Sequence, residues 1–178
     1  MSEITAKRPA VKQALHALFL VFRIGSERYA LKAIEVAEVL PCLPLKPIPH
    51  TPDWVAGVFA YRGAVVPVID LSALTFGRPA LARTSTRLVL VNYRPDETAE
   101  AQLLGLILEQ ATDTLRCDPA DFQPYGLDNR QTPYLGPVRK DEQGLLQWVR
   151  VADLLDDQVR ALLFPSPPLD LALLEGRS

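Results

Sequence analysis

The sequence predicts a mainly β protein with one short helix near its carboxyl end. The chain of 178 residues contains 16 prolines, about 9%, against a typical usage of about 5%. Proline lacks an amide donor and breaks helix interiors, so this abundance argues against a helical bundle. Short apolar runs alternate with turn residues, and only one segment, residues 151–163, repeats its apolar positions at a helical period.

The first half of the chain is predicted to form two strand–turn–strand units. Residues 1–14 are polar and predict a flexible tail. Leu18–Ile24 is apolar on both faces, ends at Gly25-Ser26 and is followed by Tyr29-Ala30-Leu31, which indicates a hairpin. The second unit consists of Val58–Tyr61 and Val65–Ile69, which flank the turn Arg62-Gly63. Between the two units, Ala33–Leu40 fits either a helical turn or a strand.

The second half repeats this pattern before the helix. Its strand candidates are Arg87–Tyr93, Leu103–Leu108 and Leu145–Val151. The helical face consists of Val151, Leu154, Leu155, Val159, Leu162 and Leu163. Pro165 follows as a stop signal, and residues 165–178 predict a Pro/Leu-rich tail. Strands of this number and length form one sandwich or two small barrels, and periodicity alone leaves both architectures open.

Charge and composition limit the partners and the compartment. The net charge is −2 and the sequence pI is about 5.7, whereas proteins that bind phosphate backbones carry a basic excess. No apolar stretch approaches the length of a membrane span, and no signal peptide opens the chain. Cys42 and Cys117 form no CxxC pair and predict buried or partly buried thiols. We therefore expect a cytoplasmic protein without a nucleic-acid partner or membrane insertion.

Few residues in the sequence could support catalysis. The chain has no phosphate-binding loop, dinucleotide fingerprint, serine elbow or zinc-protease motif. Of the two histidines, His16 lies at the edge of a strand, and a phospho-accepting role there is disfavoured. His50 lies near Asp53, so one alternative is a hydrolase in which His50 is the general base and Asp53 orients it. No nucleophile is indicated nearby, so the sequence predicts a binding protein without catalytic residues, cofactor or metal.

The segment Tyr29–Leu71 contains a series of short motifs in a defined order. They are Tyr29-Ala30-Leu31, Val36, Glu38-Val39, Ile48-Pro49, Gly57-Val58, Arg62-Gly63 and Val66–Leu71. In order and spacing, this series resembles the CheW-like domain of bacterial chemosensory arrays. Thr86–Val91 and Gly105–Ile107 are similar to two further strands of that family.

One position departs from the family pattern. The family usually has Asn-Leu before the Arg-Gly pair, whereas Ala60-Tyr61 stands here. The large ring of Tyr61 beside the arginine implies a different partner preference from that of members that serve swimming chemotaxis. The whole sequence most resembles the adaptors of Wsp-type surface-sensing systems, whose output is a diguanylate cyclase response regulator.

This resemblance implies an architecture and a function. Residues 15–164 would form two five-stranded SH3-like β-barrels about a pseudo-twofold axis, with a hydrophobic groove between them. The protein would be a non-enzymatic adaptor that binds a chemoreceptor's cytoplasmic tip and the regulatory domain of a CheA-type histidine kinase. It would be recruited to receptor arrays at the inner membrane. A fragment of a larger kinase, or of an adaptor fused to a receiver domain, remains an alternative within the same fold.

The resemblance also implies partner-binding residues, namely Val36, Glu38, Gly57, Tyr61 and Arg62. Most of them have a structural alternative. Arg62 could be an internal strut to Asp70 or Glu38, Val36 a core residue, and Gly57 a requirement of the fold. Strand alternation predicts that Val36 and Glu38 share one face. Trp54 could be an interface anchor or a packing residue, and the proline-rich loop Pro41–Pro52 could dock a partner or simply connect the barrels.

Overall fold

A computed structural model of the chain describes residues 16–126 and 129–166. The described residues form nine strands and two short α-helices. The helices are α1 (Leu71–Phe76) and α2 (Asp157–Leu163). The strands are β1 (Ala17–Ile24), β2 (Glu27–Lys32), β3 (Val36–Pro41), β4 (Val55–Tyr61), β5 (Ala64–Asp70), β6 (Arg87–Tyr93), β7 (Gln102–Cys117), β8 (Leu135–Asp141) and β9 (Gly144–Val149).

The strands form two five-stranded barrels that share β7. Barrel 2 consists of β3, β6, the first part of β7, β5 and β4, paired in that order. Barrel 1 consists of the last part of β7, then β1, β2, β9 and β8. Each order contains one parallel pair, β5 with β7 and β2 with β9. The two orders correspond strand by strand, which confirms the predicted pair of barrels about a pseudo-twofold axis.

Strand β7 connects the barrels without a loop. Its residues 102–108 pair with β6, and from Glu109 onward it pairs with β1. Gln110 has a φ of 47°, and the register with β1 shifts between Val21 and Arg23. The strand therefore bends at Gln110 and passes from one sheet into the other.

Three apolar clusters stabilise this arrangement because alternate side chains on each strand point to opposite faces. Phe19 and Val21 lie inside barrel 1, whereas Leu20 and Phe22 on the same strand face the junction between the barrels. The interior of barrel 2 contains Phe59, Val66, Val68, Leu88 and Leu90. The junction holds the largest cluster, which also takes residues from both helices and from β6 and β7. The two barrels are thus held together by a continuous core.

The helix predicted for residues 151–163 is wrong in its extent. A 3-10 turn covers Val151–Asp153, and α2 begins only at Asp157. The side chain of Asp156 accepts a hydrogen bond from the Val159 amide at 2.8 Å, so Asp156 is the N-cap of α2, with extended backbone, and lies outside the helix. Of the predicted apolar face, only Leu162 is exposed.

Other parts of the chain differ from the sequence prediction as well. Ala33–Leu40 combines both alternatives, with a 3-10 turn at Ala33–Glu35 followed by β3. Helix α1 and strand β8 were not predicted. Cys117 is buried, whereas Cys42, the residue after β3, is exposed, contrary to the prediction. The predicted tail 1–14, and all of the predicted tail 165–178 except Pro165 and Ser166, lie outside the described residues.

Candidate functional site

The hairpin between β4 and β5 presents Arg62 at its tip. Tyr61 pairs with Ala64, so Arg62 and Gly63 form a two-residue turn. Their φ angles are 48° and 80°, which is the left-handed pattern of a type I′ hairpin turn. Gly63 adopts this conformation without cost, whereas Arg62 is one of the few non-glycine residues that do so. The turn therefore holds the arginine at a defined place on the surface.

Three side chains meet beside this turn, and we refer to them as the Glu38–Tyr61–Arg62 cluster. The Tyr61 hydroxyl donates a hydrogen bond to Oε2 of Glu38. The Arg62 guanidinium lies 3.6 Å from the same oxygen and 5.0 Å from the centre of the Tyr61 ring, within the range of a cation–π contact. Of the two internal partners considered for Arg62, the structure gives it Glu38.

Asp70, the other partner considered for Arg62, has a different role. Its carboxylate accepts from the Ala73 amide at 3.1 Å and from the Ala80 amide at 2.8 Å. The first contact caps α1, and the second anchors the loop that follows this helix. A pairing of Arg62 with Asp70 is therefore wrong, because both oxygens of Asp70 serve the start of α1 and the loop behind it.

The Glu38–Tyr61–Arg62 cluster closes the seam of barrel 2. Glu38 lies on β3 and Tyr61 at the end of β4, which are the two terminal strands in the pairing order of this barrel. The loop after β3 adds a second connection, since Lys46 and Val58 exchange backbone hydrogen bonds of 2.8 Å in both directions. The cluster therefore lies where the barrel would otherwise be open.

The hydrogen bond to Glu38 also changes the acid–base behaviour of Tyr61. Because the phenol donates to a carboxylate, loss of its proton would place two negative charges together. This hydrogen bond, with smaller effects of burial, raises the pKa of Tyr61 above its usual value, while Arg62 acts in the opposite direction. Tyr61 therefore keeps its proton, and donates to Glu38, to a higher pH than a tyrosine without this contact.

Val36 and Glu38 do not share a face, contrary to the prediction from strand alternation. A bulge shifts the register between them, so that Val36 pairs with Val91 and Glu38 with Leu90. Val91 belongs to the junction cluster, and Leu90 to the interior of barrel 2. Val36 accordingly packs, half-buried, at the junction of the barrels, while Glu38 lies at the seam of barrel 2.

Gly57 is required by the fold of barrel 2. A Cβ atom at this position would lie 2.5 Å from the carbonyl oxygen of Lys46, and the φ of Gly57 is 142°. The glycine therefore permits the close approach of the loop after β3 to strand β4. Gly57 is buried, so it could affect a partner only indirectly, by determining where the loop after β3 lies.

The proline-rich loop and Trp54 pack against the protein itself. The loop Pro41–Pro52 stays on barrel 2 through Lys46, and Ile48 contacts the junction cluster. Trp54 is partly buried against the same cluster, and its carbonyl accepts from the Asp70 amide at 2.8 Å. For Trp54 these contacts favour the packing alternative. The alternative that the loop connects the barrels is wrong, because the loop joins β3 to β4 within barrel 2.

Two exposed valines lie on β3 and β5, near the cluster residues in the chain, and the sequence did not indicate them as site residues. Val39 is 44% exposed and Val65 is 71% exposed. Val39 follows Glu38 on β3, where exposed and half-buried positions alternate. Val65 pairs with Ala60 on the hairpin that carries Arg62 and precedes the buried part of β5. The sequence alone shows only that the two valines lie on strands, and strand alternation turns Val39 away from Glu38 and Val65 away from Tyr61.

The histidines do not assemble a reactive site within the described ranges. His50 and Asp53 are both exposed, and no hydrogen bond joins them. His16 is exposed just before β1. No cluster of histidine, cysteine or acidic side chains suited to a metal occurs in residues 16–126 and 129–166. In the same residues, no helix has the length and apolar character needed to cross a membrane.

Comparison with known proteins gives a consistent result. The family model described as the CheW-like domain matches residues 18–159. Chemotaxis protein CheW of Helicobacter pylori is 30% identical over 141 residues, which cover 77% of this chain and 80% of that protein. Chemotaxis protein CheW of Rhizobium meliloti is 30% identical over 105 residues, 59% of this chain and 64% of that protein. The second match thus spans slightly less than two thirds of its relative.

A solved structure shares the fold. The scaffolding protein TtCheW from Thermoanaerobacter tengcongensis superposes with a TM-score of 0.70. The superposition covers 84% of this chain and 94% of that one, at 21% sequence identity. The likeness therefore extends over both barrels of this chain.

Proposed function

Because the chain belongs to the CheW-like domain family, we propose that it couples a methyl-accepting chemoreceptor to a CheA-type histidine kinase. Members of this family are scaffolds of chemotaxis signalling without enzymatic activity, and this chain is one of them. The alternative of a hydrolase based on His50 and Asp53 is accordingly set aside. Adaptors of this kind act by holding two partners together rather than by turnover.

The observation that carries the proposal is the extent of the family match. Residues 18–159 include nearly all of β1 and the other eight strands in full, so both barrels and the junction between them belong to the matched region. A coupling protein needs two surfaces that are held at a fixed geometry. The continuous apolar core at the junction supports such rigidity.

We assign the receptor contact to the surface around the Glu38–Tyr61–Arg62 cluster, with Val36 at its border and Gly57 supporting the loop beneath it. Arg62 is 76% exposed, and its forked guanidinium suits a carboxylate or carbonyl of a partner. Val39 and Val65 provide exposed apolar area on the neighbouring strands β3 and β5. Arginine is enriched in protein interfaces, where apolar area and a few directed polar groups occur together.

The proposal also covers the cellular location of the protein and the response that its signalling pathway controls. The adaptor would be recruited to receptor arrays at the inner membrane through its partners. On the resemblance to Wsp-type systems, the output would be a diguanylate cyclase response regulator. Deleting the gene would then change the cellular level of cyclic diguanylate, and an unchanged level with altered swimming would point to a flagellar output instead.

Arg62→Glu tests the receptor assignment. The change reverses the charge at an exposed turn and places a second carboxylate near Glu38. We expect loss of receptor-tip binding by about 30-fold or more, since removing a charge-assisted interface contact costs about 2–5 kcal/mol. Affinity for the kinase regulatory domain should stay unchanged. Titrations with the receptor tip and with the kinase regulatory domain measure the two affinities, and a melting curve measures stability.

Arg116→Glu is the matched control, because Arg116 is an exposed arginine on the far part of β7 in barrel 1. It should leave receptor binding intact. If Arg62→Glu lowers the melting temperature and weakens both partners equally, Arg62 is an internal strut and the site assignment is wrong. If wild-type protein binds neither fragment, the coupling function itself is wrong.

A further inference from the structure

The Tyr61 hydroxyl and the Arg62 guanidinium are directed at the same oxygen of Glu38. The phenol forms a hydrogen bond to Oε2, whereas Nη2 of Arg62 stays 3.6 Å from it, beyond hydrogen-bonding distance. Across the described residues, the Arg62 side chain donates no hydrogen bond. Its N–H donors therefore have no acceptor within this part of the protein and face solvent, although a carboxylate lies close enough to attract the charge.

The Tyr61 ring is held in place by packing against the interior of barrel 2. It is partly buried there, with its centre 6.2 Å from that of Phe59. A tyrosine has only two side-chain torsions to restrain, so packing of the ring determines the position of the hydroxyl. The Arg62 guanidinium lies 5.0 Å from the centre of this ring, and the ring thereby holds the charge at its exposed side.

We propose that Tyr61 is a positioning residue, which holds Glu38 by its hydroxyl and Arg62 by its ring so that the guanidinium is presented to a carboxylate of the receptor. This inference rests on the function proposed above. Without the hydroxyl, Glu38 is free to form a two-pronged ion pair with Arg62 and to occupy the donors that the receptor needs. Tyr61 thus keeps the ion pair long and the arginine available.

A double-mutant cycle tests this mechanism. Receptor affinity is measured by titration with the cytoplasmic tip of a chemoreceptor from the same genome, for wild type, Tyr61→Phe, Arg62→Ala and the double variant. We expect Tyr61→Phe to weaken binding by about tenfold to 100-fold, in line with loss of one hydrogen bond to a charged group. In the Arg62→Ala background, the same change should have no effect.

Tyr125→Phe is the matched control for removal of a hydroxyl. Tyr125 is an exposed tyrosine whose hydroxyl accepts a hydrogen bond from the Gln147 side chain on β9, in barrel 1. The two variants lose the same atom, but the control loses it far along the chain from Arg62. Tyr125→Phe should leave receptor affinity unchanged, and an equal loss in both variants would overturn a specific role for Tyr61.

Two further outcomes of the cycle overturn the proposal. If the effects of Tyr61→Phe and Arg62→Ala are additive, Tyr61 contacts the receptor itself and the positioning role is wrong. If Tyr61→Phe weakens binding of the kinase regulatory domain equally and lowers the melting temperature, Tyr61 acts through the stability of barrel 2 rather than through Arg62.

A measurement without any partner separates this inference from the proposed function. In NMR spectra, the Arg62 Nε–H signal should change in Tyr61→Phe as Glu38 moves onto the guanidinium. In Glu38→Gln, the pKa of Tyr61 should fall toward its usual value, because the carboxylate that raises it is gone. An Arg62 signal identical in wild type and Tyr61→Phe overturns the positioning role even if no receptor binds.

Discussion

Arg28 and Asp141, which are 113 residues apart in the chain, form a two-pronged ion pair in barrel 1. The two hydrogen bonds measure 2.8 and 3.1 Å, and the Arg28 side chain is only 9% exposed. Asp141 also accepts from the Gln143 amide at 2.8 Å. The pair therefore fastens the β8–β9 turn to β2 and uses most of the hydrogen-bonding capacity of one carboxylate.

Arg28→Leu should lower the free energy of unfolding by about 2–4 kcal/mol. The change leaves a partly buried carboxylate without its main donor, which costs more than the net value of an exposed ion pair. Chemical denaturation at pH 7 measures the difference. Arg139→Leu is the control, because Arg139 contacts Asp141 at a longer 3.3 Å; an equal loss in both variants would contradict a special role for Arg28.

The same pair should make stability depend on pH. The hydrogen bond from Arg28, assisted by the Gln143 amide and nearby arginine charge, holds the pKa of Asp141 below its usual value. A depressed pKa in the folded state contributes stability above the ordinary aspartate pKa of about 3.9, and this contribution is lost as the pH falls through the folded pKa. Unfolding measured from pH 7 down to pH 2 should show a shallower acid loss in Arg28→Leu than in wild type. If stability falls equally with pH in wild type and Arg28→Leu, the Arg28–Asp141 pair does not cause the pH dependence.

Gly57→Ala should destabilise barrel 2 by about 3 kcal/mol or more. The new Cβ would lie 2.5 Å from the Lys46 carbonyl oxygen, and both the clash and the unfavourable φ contribute. Gly63→Ala is the matched control, since no atom lies within 4 Å of the place that its Cβ would occupy and only the cost of a positive φ of 80° remains. That cost is about 1–2 kcal/mol. Melting curves that rank the two variants in the opposite order would contradict this account.

Asp156→Ala should lower the free energy of unfolding by about 1 kcal/mol. It removes the side-chain oxygen that caps the Val159 amide at the start of α2. Asp157→Ala offers a neighbouring control, because Asp157 is exposed and pairs with Arg160 on the surface, an interaction worth about 0–1 kcal/mol. Thermal denaturation compares them, and a larger effect of Asp157→Ala would disprove the capping role.

The sequence was most informative where strands are bounded by clear turns. The bounds of β6, Arg87–Tyr93, agree with the prediction because its apolar run is continuous and ends in a polar loop. Strand β8 was missed because Gly136 and Pro137 interrupt its pattern. Helix α1 was missed because six residues are too few to establish a helical period, although Asp70 before it and Gly77 after it are suitable caps.

The candidate site was predictable only in part. The family resemblance brought Glu38 and Arg62 into consideration, and the contact between them was one of two alternatives. The hydrogen bond from Tyr61 to Glu38 depends on closure of barrel 2, which joins residues 23 positions apart. The opposite faces of Val36 and Glu38 depend on a bulge, and strand alternation carries no information about where a bulge occurs.

The shared strand β7 has a consequence for folding. Barrel 1 takes its strands from both ends of the described chain, barrel 2 takes most of its strands from the middle, and each needs part of the 16-residue β7. Neither barrel can therefore be excised as an autonomous fragment, and melting should occur in a single cooperative transition despite two separate interiors. A chain cut in the loop at residues 94–101 would regain its structure only by reassembly of both pieces.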